Sequence, residues 1–315
     1  MSLHASSIPQ KEKDTAENMQ QNWKGTTYGN RWMHKWIVRL LAHIDLRLMY
    51  AFAAVFIIPV CLIATPRRKY IYSYFRKRWM MSPMRSMWMT YRNFYIYMQQ
   101  VVDRFAVFAG KRFKMEIEGD DIYQKLISRK EGFVQLCSHI GNSEIAGYTL
   151  SPKPKKMTVL VYGGEKADVM ESRRKAFNRM GINMVAVEND INYIFEISCA
   201  IHRGDIVSSP ADRIIGSTRT VKVSLLAEQA LLPAGPFAIG ATYNLDVVEL
   251  SVMKVRHDTY RIYVTPIEYD KNASRTEKIR QMANAYIAEM ERLVKLYPTQ
   301  WYNFYDFWNT ETDRQ

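Results

Sequence analysis

Between Arg47 and Arg67 the chain runs for 19 residues without a formal charge, LMYAFAAVFIIPVCLIATP. So apolar a stretch must leave water, and as a helix rising ~1.5 Å per residue it nearly crosses a ~30 Å hydrocarbon layer. Pro59 and the modest length make it a borderline span, and a buried core helix fits the same pattern. The flanks favour a membrane. PRRKYIYSYFRKRW follows at once, placing Arg67, Arg68, Lys69, Arg76, Lys77 and Arg78 among tyrosines and Trp79, the mixture found at headgroup depth. Lys35, Arg39 and Arg47 precede the run, so a shallow helix lying in the interface is also compatible. The positive-inside tendency puts the downstream residues on the cytoplasmic side.

Charge narrows the partners. The 44 Lys and Arg against 31 Asp and Glu give +13, which implies an anionic partner: nucleic acid, an anionic bilayer or an acidic carrier protein. The cations concentrate beside the apolar run and no nucleic-acid recognition motif occurs, so no nucleic acid is expected. With 48% hydrophobic residues the chain can build a sizeable core, which excludes disorder as its main state. Cys61, Cys137 and Cys199 are odd in number, lack C-x-x-C spacing and read as buried thiols of a reducing compartment. The polar first 30 residues do not resemble a signal peptide.

Three regions are expected: a polar tail at 1–30, a membrane anchor with its basic interfacial segment at 31–82, and a catalytic domain at 83–310. Residues 83–110 carry large apolar side chains at helical spacing up to Gly110, predicting a long amphipathic helix. Thereafter the period shortens. FKMEIEG, FVQLCS, MTVLVY, INMVAV, DIVSS, VVELSVMKV and RIYVTPIEY read as strands, with helices predicted at Val169–Arg179 and Asn192–His202. Strands alternating with helices predict an α/β fold: a mixed, mostly parallel central sheet flanked by helices. Ser274 and Glu277 form a capping box for a terminal helix whose apolar face includes Met282, Tyr286, Met290 and Leu293.

FVQLCSHIGNSE carries the chemistry. An apolar strand ends at Ser138, His139 follows, Gly141 and Asn142 permit a tight turn, and Glu144 opens a helix. In open α/β sheets ligands bind at the carboxyl ends of strands. His139 and Glu144 are spaced H-x4-E, so a sharp turn can return the carboxylate to the imidazole, fixing its tautomer and leaving the other nitrogen as a general base. A hydrogen-bonded structural histidine is the alternative. No G-x-S-x-G, H-E-x-x-H, P-loop or G-x-G-x-x-G occurs, which argues against serine hydrolases, zincins and nucleotide-binding folds. Gly163-Gly164 reads as a turn.

SHIGNSE resembles the H-x4-(D/E) block of the bacterial lipid A late acyltransferases (lauroyl/myristoyl transferases), a branch of the glycerolipid acyltransferase-like superfamily. The apolar segment with its basic exit resembles that family's membrane anchor, and DIVSSPADR its strand ending in an aspartate. VKVSLLAEQALLPAGPFAIGATYNLDVVELSV resembles its later Pro/Gly-turn block, and YPTQWYNFYDFW its Pro-x-x-Trp ending. The chain departs at Leu225, Leu226 and Ala227, where members commonly show Phe-Phe-Gly, and at Arg213, where another polar residue is common.

The resemblance implies O-acyl transfer at the cytoplasmic face of a bacterial inner membrane, from acyl carrier protein (or acyl-CoA) to a lipid hydroxyl such as that of a lipid A precursor. His139 would take the hydroxyl proton and Glu144 would orient and stabilise the imidazolium. Asn142, Arg174, Asp212, Arg213, Gly235 and Pro236 are the substrate-binding candidates. Arg173 and Arg174 are candidates for the oxyanion, although a solvated helix face is the simpler account of them. Asp212 and Arg213 suit a pocket wall or a structural ion pair equally, and Pro233, Gly235 and Pro236 suit either a turn beside the acyl site or a plain loop. Because the acyl group arrives as a thioester, the chemistry calls for no metal or nucleotide cofactor. A noncatalytic scaffold that binds anionic membrane through its basic residues is the alternative function.

Overall fold

A computed structural model describes residues 31–145, 154–162, 170–171, 174–175, 177–178, 181–187, 192–214 and 219–308. The chain enters as α1 (Arg31–His43) and continues through the apolar run as α2 (Leu46–Phe52), a π-helical turn (Ala53–Ile57) and α3 (Ile58–Ala64). Asp45 caps α2 by accepting from the Arg47 amide at 2.7 Å. Pro59 falls in the first turn of α3, directly after the π-helical turn. Then come α4 (Arg68–Lys77) and the 26-residue α5 (Pro83–Phe108). Ser82 and Pro83 start α5, and Gly110 ends it with φ +87°, so the helix read from periodicity is present.

The predicted strands form a seven-stranded sheet among the described residues. In chain order these are β1 (Lys114–Glu118), β2 (Phe133–Cys137), β3 (Met157–Tyr162), β4 (Ile182–Val187), β5 (Ile206–Pro210), β8 (Asp246–Arg256) and β9 (Thr259–Pro266). Their order across the sheet is β1-β9-β8-β2-β5-β3-β4, parallel throughout except for the β8–β9 hairpin. The helices α6 (Asp120–Ser128), α7 (Asn192–His202), α8 (Gly235–Tyr243) and α9 (Arg275–Leu296) flank it. Ser274 Oγ accepts from the Glu277 amide at 3.3 Å, as the capping box predicts. Of the stretch 169–179, only residues 170–171, 174–175 and 177–178 are described, and Gly163-Gly164 lies outside the described residues.

The sheet divides two apolar layers. On one side Val134, Leu136 and Val247 pack with Phe237 of α8, Met282, Tyr286 and Met290 of α9, and Tyr74 and Phe75 of α4. On the other, Phe133, Val248, Val252 and Ile262 pack with Tyr123 and Leu126 of α6. Alternation along β2 and β8 sends consecutive residues to opposite layers, as a doubly covered strand requires.

Sequence reasoning did not find the hairpin of β6 (Thr220–Leu225) and β7 (Glu228–Pro233). Its two-residue turn is Leu226-Ala227, at φ +52° and +62°, conformations that favour glycine or asparagine. The Leu226 amide donates to Glu291 of α9 at 2.8 Å, which holds the turn against the terminal helix.

Leu46–Ala64 is the one helical stretch, among the described residues, long and apolar enough to cross a membrane. It lies along α5. Tyr50, Ala53 and Ile58 are buried there, whereas Phe52, Val55, Phe56 and Ile63 are exposed, as are Met84 and Trp88 of α5. Part of the basic cluster is engaged within the chain. Arg68 donates to the Ile63 carbonyl at 2.9 Å, Arg76 to the Met81 carbonyl, and Arg78 pairs with Glu228 at 2.6 Å. Those cations fasten α4 to its neighbours rather than all facing outward.

Candidate active site

β2 and β5 are parallel neighbours in which Cys137 stands opposite Pro210. Each strand delivers a polar side chain two residues past that pair: His139 from β2 and Asp212 from β5. The Ala211 amide continues the ladder onto the Cys137 carbonyl at 3.0 Å, so the two loops leave the sheet in register. His139 Nδ1 lies 2.8 Å from Asp212 Oδ1, and the His139 backbone amide donates to Oδ2 at 2.9 Å. One carboxylate thus holds both the ring and the backbone that carries it. Asp212 is 1% exposed and the His139 side chain 37% exposed, so the carboxylate is sealed while the ring reaches solvent.

Burial raises the Asp212 pKa, but the facing imidazole, its hydrogen bonds and the Arg213 charge outweigh burial and hold the carboxyl below its ordinary range. An ionised carboxylate can only accept, so Nδ1 carries the proton and Nε2 keeps the lone pair. That is the tautomer a general base requires.

The turn after His139 is fixed at nearly every backbone group. Gly141 has φ +66°, and a Cβ there would stand 2.0 Å from the Val252 carbonyl oxygen. The Asn142 amide donates to that same carbonyl at 2.8 Å, tying the turn to β8. The Gly141 amide donates to the Gln300 carbonyl at 2.8 Å, and the Tyr302 amide to the His139 carbonyl at 3.1 Å. Residues 297–305 therefore clamp the site. Tyr305 donates its hydroxyl to the Asp212 carbonyl at 2.9 Å, and Arg213 Nη2 donates to the Tyr302 carbonyl at 3.0 Å with its guanidinium over the Tyr305 ring. Sequence reading took this segment only as a family-like ending, and the density of aromatics in YPTQWYNFYDFW was the available signal.

Glu144 occupies a different place from the one its spacing suggested. Its Oε2 accepts from Arg104 of α5 at 2.8 Å, and Asp212 is the carboxylate on the imidazole. The cause is the bond from the Asn142 amide to β8, after which residues 143–145 turn as helix alongside α5. The carboxylate that meets the ring is therefore that of Asp212.

The other candidates disperse. Asn142 is buried, its Nδ2 donating to the Gln100 carbonyl at 3.4 Å and to Tyr260 Oη at 3.3 Å. Arg174 is exposed and takes no part in the bonds joining His139, Asp212 and Arg213, and Arg173 lies outside the described residues. Gly235 and Pro236 begin α8, where a Cβ on Gly235 would meet nothing within 4 Å.

Two groups stand near the pair, the half-buried Cys137 and the buried Glu249. Desolvation, reinforced by Asp212 and Glu249, pushes the Cys137 thiol up and disfavours its thiolate. Glu249 of β8 accepts from the Ser251 hydroxyl but has an Oε2 without a hydrogen-bond partner; burial, against that hydrogen bond, pushes its pKa up to about 8.

The chain thus presents an open, mostly parallel α/β sheet with a histidine–carboxylate pair at its carboxyl edge. The family of bacterial lipid A biosynthesis acyltransferases matches residues 83–310, and the chain belongs to that family. It is an acyltransferase that acts on lipids. Among solved structures the chain is similar to the 1-acyl-sn-glycerophosphate (LPA) acyltransferase PlsC from Thermotoga maritima, at 12% identity and a TM-score of 0.37, over 85% of this chain and 99% of that one. No curated protein matches the chain.

Proposed function

We propose that the protein is a membrane-associated O-acyltransferase that moves a fatty acyl group from acyl carrier protein to a lipid hydroxyl, of a lipid A precursor or a related bacterial lipid, at the cytoplasmic face of the inner membrane. The observation that carries this reading is the two-point grip of Asp212 on His139, on the ring at 2.8 Å and on the amide at 2.9 Å.

In the reaction His139 Nε2 takes the proton of the acceptor hydroxyl as its oxygen attacks the thioester carbonyl carbon. The tetrahedral adduct collapses, the C–S bond breaks, and the departing sulfur takes that proton back from the imidazolium. The products are an ester and a free thiol. Asp212 stabilises the imidazolium formed in between. Arg213, fixed through Tyr302 and Tyr305 next to Asp212, is better suited than the exposed Arg174 to offset the oxyanion charge. Glu144, the one carboxylate of the H-x4-E block, is held by Arg104 and is a further candidate beside His139 and Asp212.

The apolar face of Leu46–Ala64, with Met84 and Trp88 beside it, is the lipid-contacting surface. The packing of Tyr50, Ala53 and Ile58 against the domain supports a helix that lies along the membrane surface. Lipid mass spectrometry of cells with and without the gene tests the activity. A species heavier by one acyl chain, present only with the gene, is expected, and unchanged lipid masses under all growth conditions would count against it. Purified protein supplied with acyl carrier protein or CoA thioesters distinguishes the donors.

A further inference from the structure

Beneath the apolar helix lies a buried polar cluster that the reaction does not use. Asp103 of α5 is fully buried and accepts from three groups: Tyr50 of α2 on Oδ1, and Lys254 of β8 and Tyr260 of β9 on Oδ2. Lys254 Nζ also donates to Tyr50 Oη at 3.3 Å and to the His257 carbonyl at 3.1 Å, so the one buried cation is matched by one buried anion. Side chains from α2 and from both strands of the β8–β9 hairpin thus meet on one carboxylate carried by α5.

The cluster continues to the reactive turn along two branches. Tyr260 gives its proton to Asp103, so its oxygen accepts from the side-chain Nδ2 of Asn142 at 3.3 Å, one residue beyond Gly141. The Lys254 backbone exchanges two hydrogen bonds with the Gln300 side chain, at 2.9 and 2.8 Å, and the Gln300 carbonyl holds the Gly141 amide at 2.8 Å. Gln100, one turn before Asp103 on α5, joins the branches: its carbonyl accepts from Asn142 at 3.4 Å and its side chain donates to Gln300 at 3.0 Å. Apart from His257 and Gly141, which take part through backbone groups, the members named are less than a tenth exposed, so water cannot replace a lost partner cheaply.

We propose that Tyr50, Asp103 and Tyr260 are positioning residues that couple the docking of the apolar helix to the shape of the His139 turn. The reactive turn then keeps its geometry only while that helix is seated on α5. The proposal rests on the reading of His139 as the base and of Leu46–Ala64 as the membrane-contacting helix.

Amide hydrogen exchange on the full-length protein, in vesicles of phosphatidylethanolamine and phosphatidylglycerol, tests the coupling without requiring turnover. Tyr50→Phe and Tyr260→Phe are each expected to speed exchange over residues 138–145 by about tenfold. Tyr91→Phe is the control, because Tyr91 also ties the helix to α5, through the Ala54 carbonyl at 3.0 Å, yet stands outside the chain of bonds. With the helix still seated, as unchanged exchange over residues 46–64 would show, it is expected to leave the turn unchanged. Unaltered exchange in Tyr50→Phe, equal acceleration in Tyr91→Phe, or acceleration matched over residues 275–296 overturns the proposal. A wild-type protein that transfers no acyl group would sink the functional reading alone, since the exchange result stands without it. With turnover measurable, Tyr50→Phe is expected to lower kcat and spare the donor KM; the reverse split contradicts a positioning role.

Discussion

Asp212 holds His139 by two atoms at once, its Oδ1 on the ring Nδ1 and its Oδ2 on the backbone amide. Either bond alone would leave the imidazole free to pivot. Together they fix the ring's tautomer and its height above the sheet. Asp212→Asn keeps the size and can keep one bond, but its amide can donate toward Nδ1 and favour the wrong tautomer. Acyl transfer is expected to fall by about 10²–10⁴-fold, with thermal stability changing far less. Steady-state kinetics with an acyl carrier protein thioester check it, and activity within a few-fold of wild type would remove Asp212 from the mechanism.

Gly141 allows no side chain. Gly141→Ala must accommodate both φ +66° and an approach of 2.0 Å to the Val252 carbonyl, so the turn has to leave β8. A cost of about 2 kcal/mol or more is expected, together with loss of activity. Chemical denaturation measures the first, and a variant as stable as wild type would show the turn to be pliable.

The opposite change should help the hairpin. Ala227 sits at φ +62°, a conformation alanine adopts at a cost and glycine does not. Ala227→Gly is expected to stabilise the protein by about 1 kcal/mol, read as a higher melting temperature with activity unchanged. A lower melting temperature would mean that the turn relaxes elsewhere in solution.

The same two positions explain how far the sequence could be read. The long helix at 83–108 is legible because its periodicity runs between Pro83 and Gly110, and the central strands because each is a short apolar run bounded by polar turns. The β6–β7 hairpin was hidden because Leu226-Ala227 lacks the Gly, Asn or Asp that marks a two-residue turn. His139 is visible through its place at a strand end. Asp212 is visible at a strand end too, but its pairing with His139 is not, because it lies 73 residues away and is brought near only by the pairing of β2 with β5. Spacing along the chain favoured Glu144, the carboxylate within reach of one turn, and could not register the pull of Arg104 from α5. Gln300 and Tyr302 act through backbone groups, which leave no signature in composition.

Glu249 predicts a pH dependence. Its folded pKa, pushed up to about 8 by burial, exceeds that of an unfolded glutamate, so between roughly pH 4.5 and 8 the folded state binds the extra proton. Stability from this group therefore declines as pH rises through that window and levels off above it. Glu249→Gln removes the titration. Its melting temperature relative to wild type should climb across the window and be flat on either side, whereas a constant offset would mean that Glu249 is already ionised when folded.

The central claim is that His139, seated on Asp212, is the base of a lipid O-acyl transfer. Purified full-length protein with an acyl carrier protein thioester and a lipid acceptor in vesicles tests it most directly, by comparing single-turnover product formation in wild type and His139→Ala at equal vesicle binding. The account predicts an acylated lipid with wild type and a loss of about 10²–10⁴-fold in rate with the variant. Transfer by His139→Ala at the wild-type rate would contradict it.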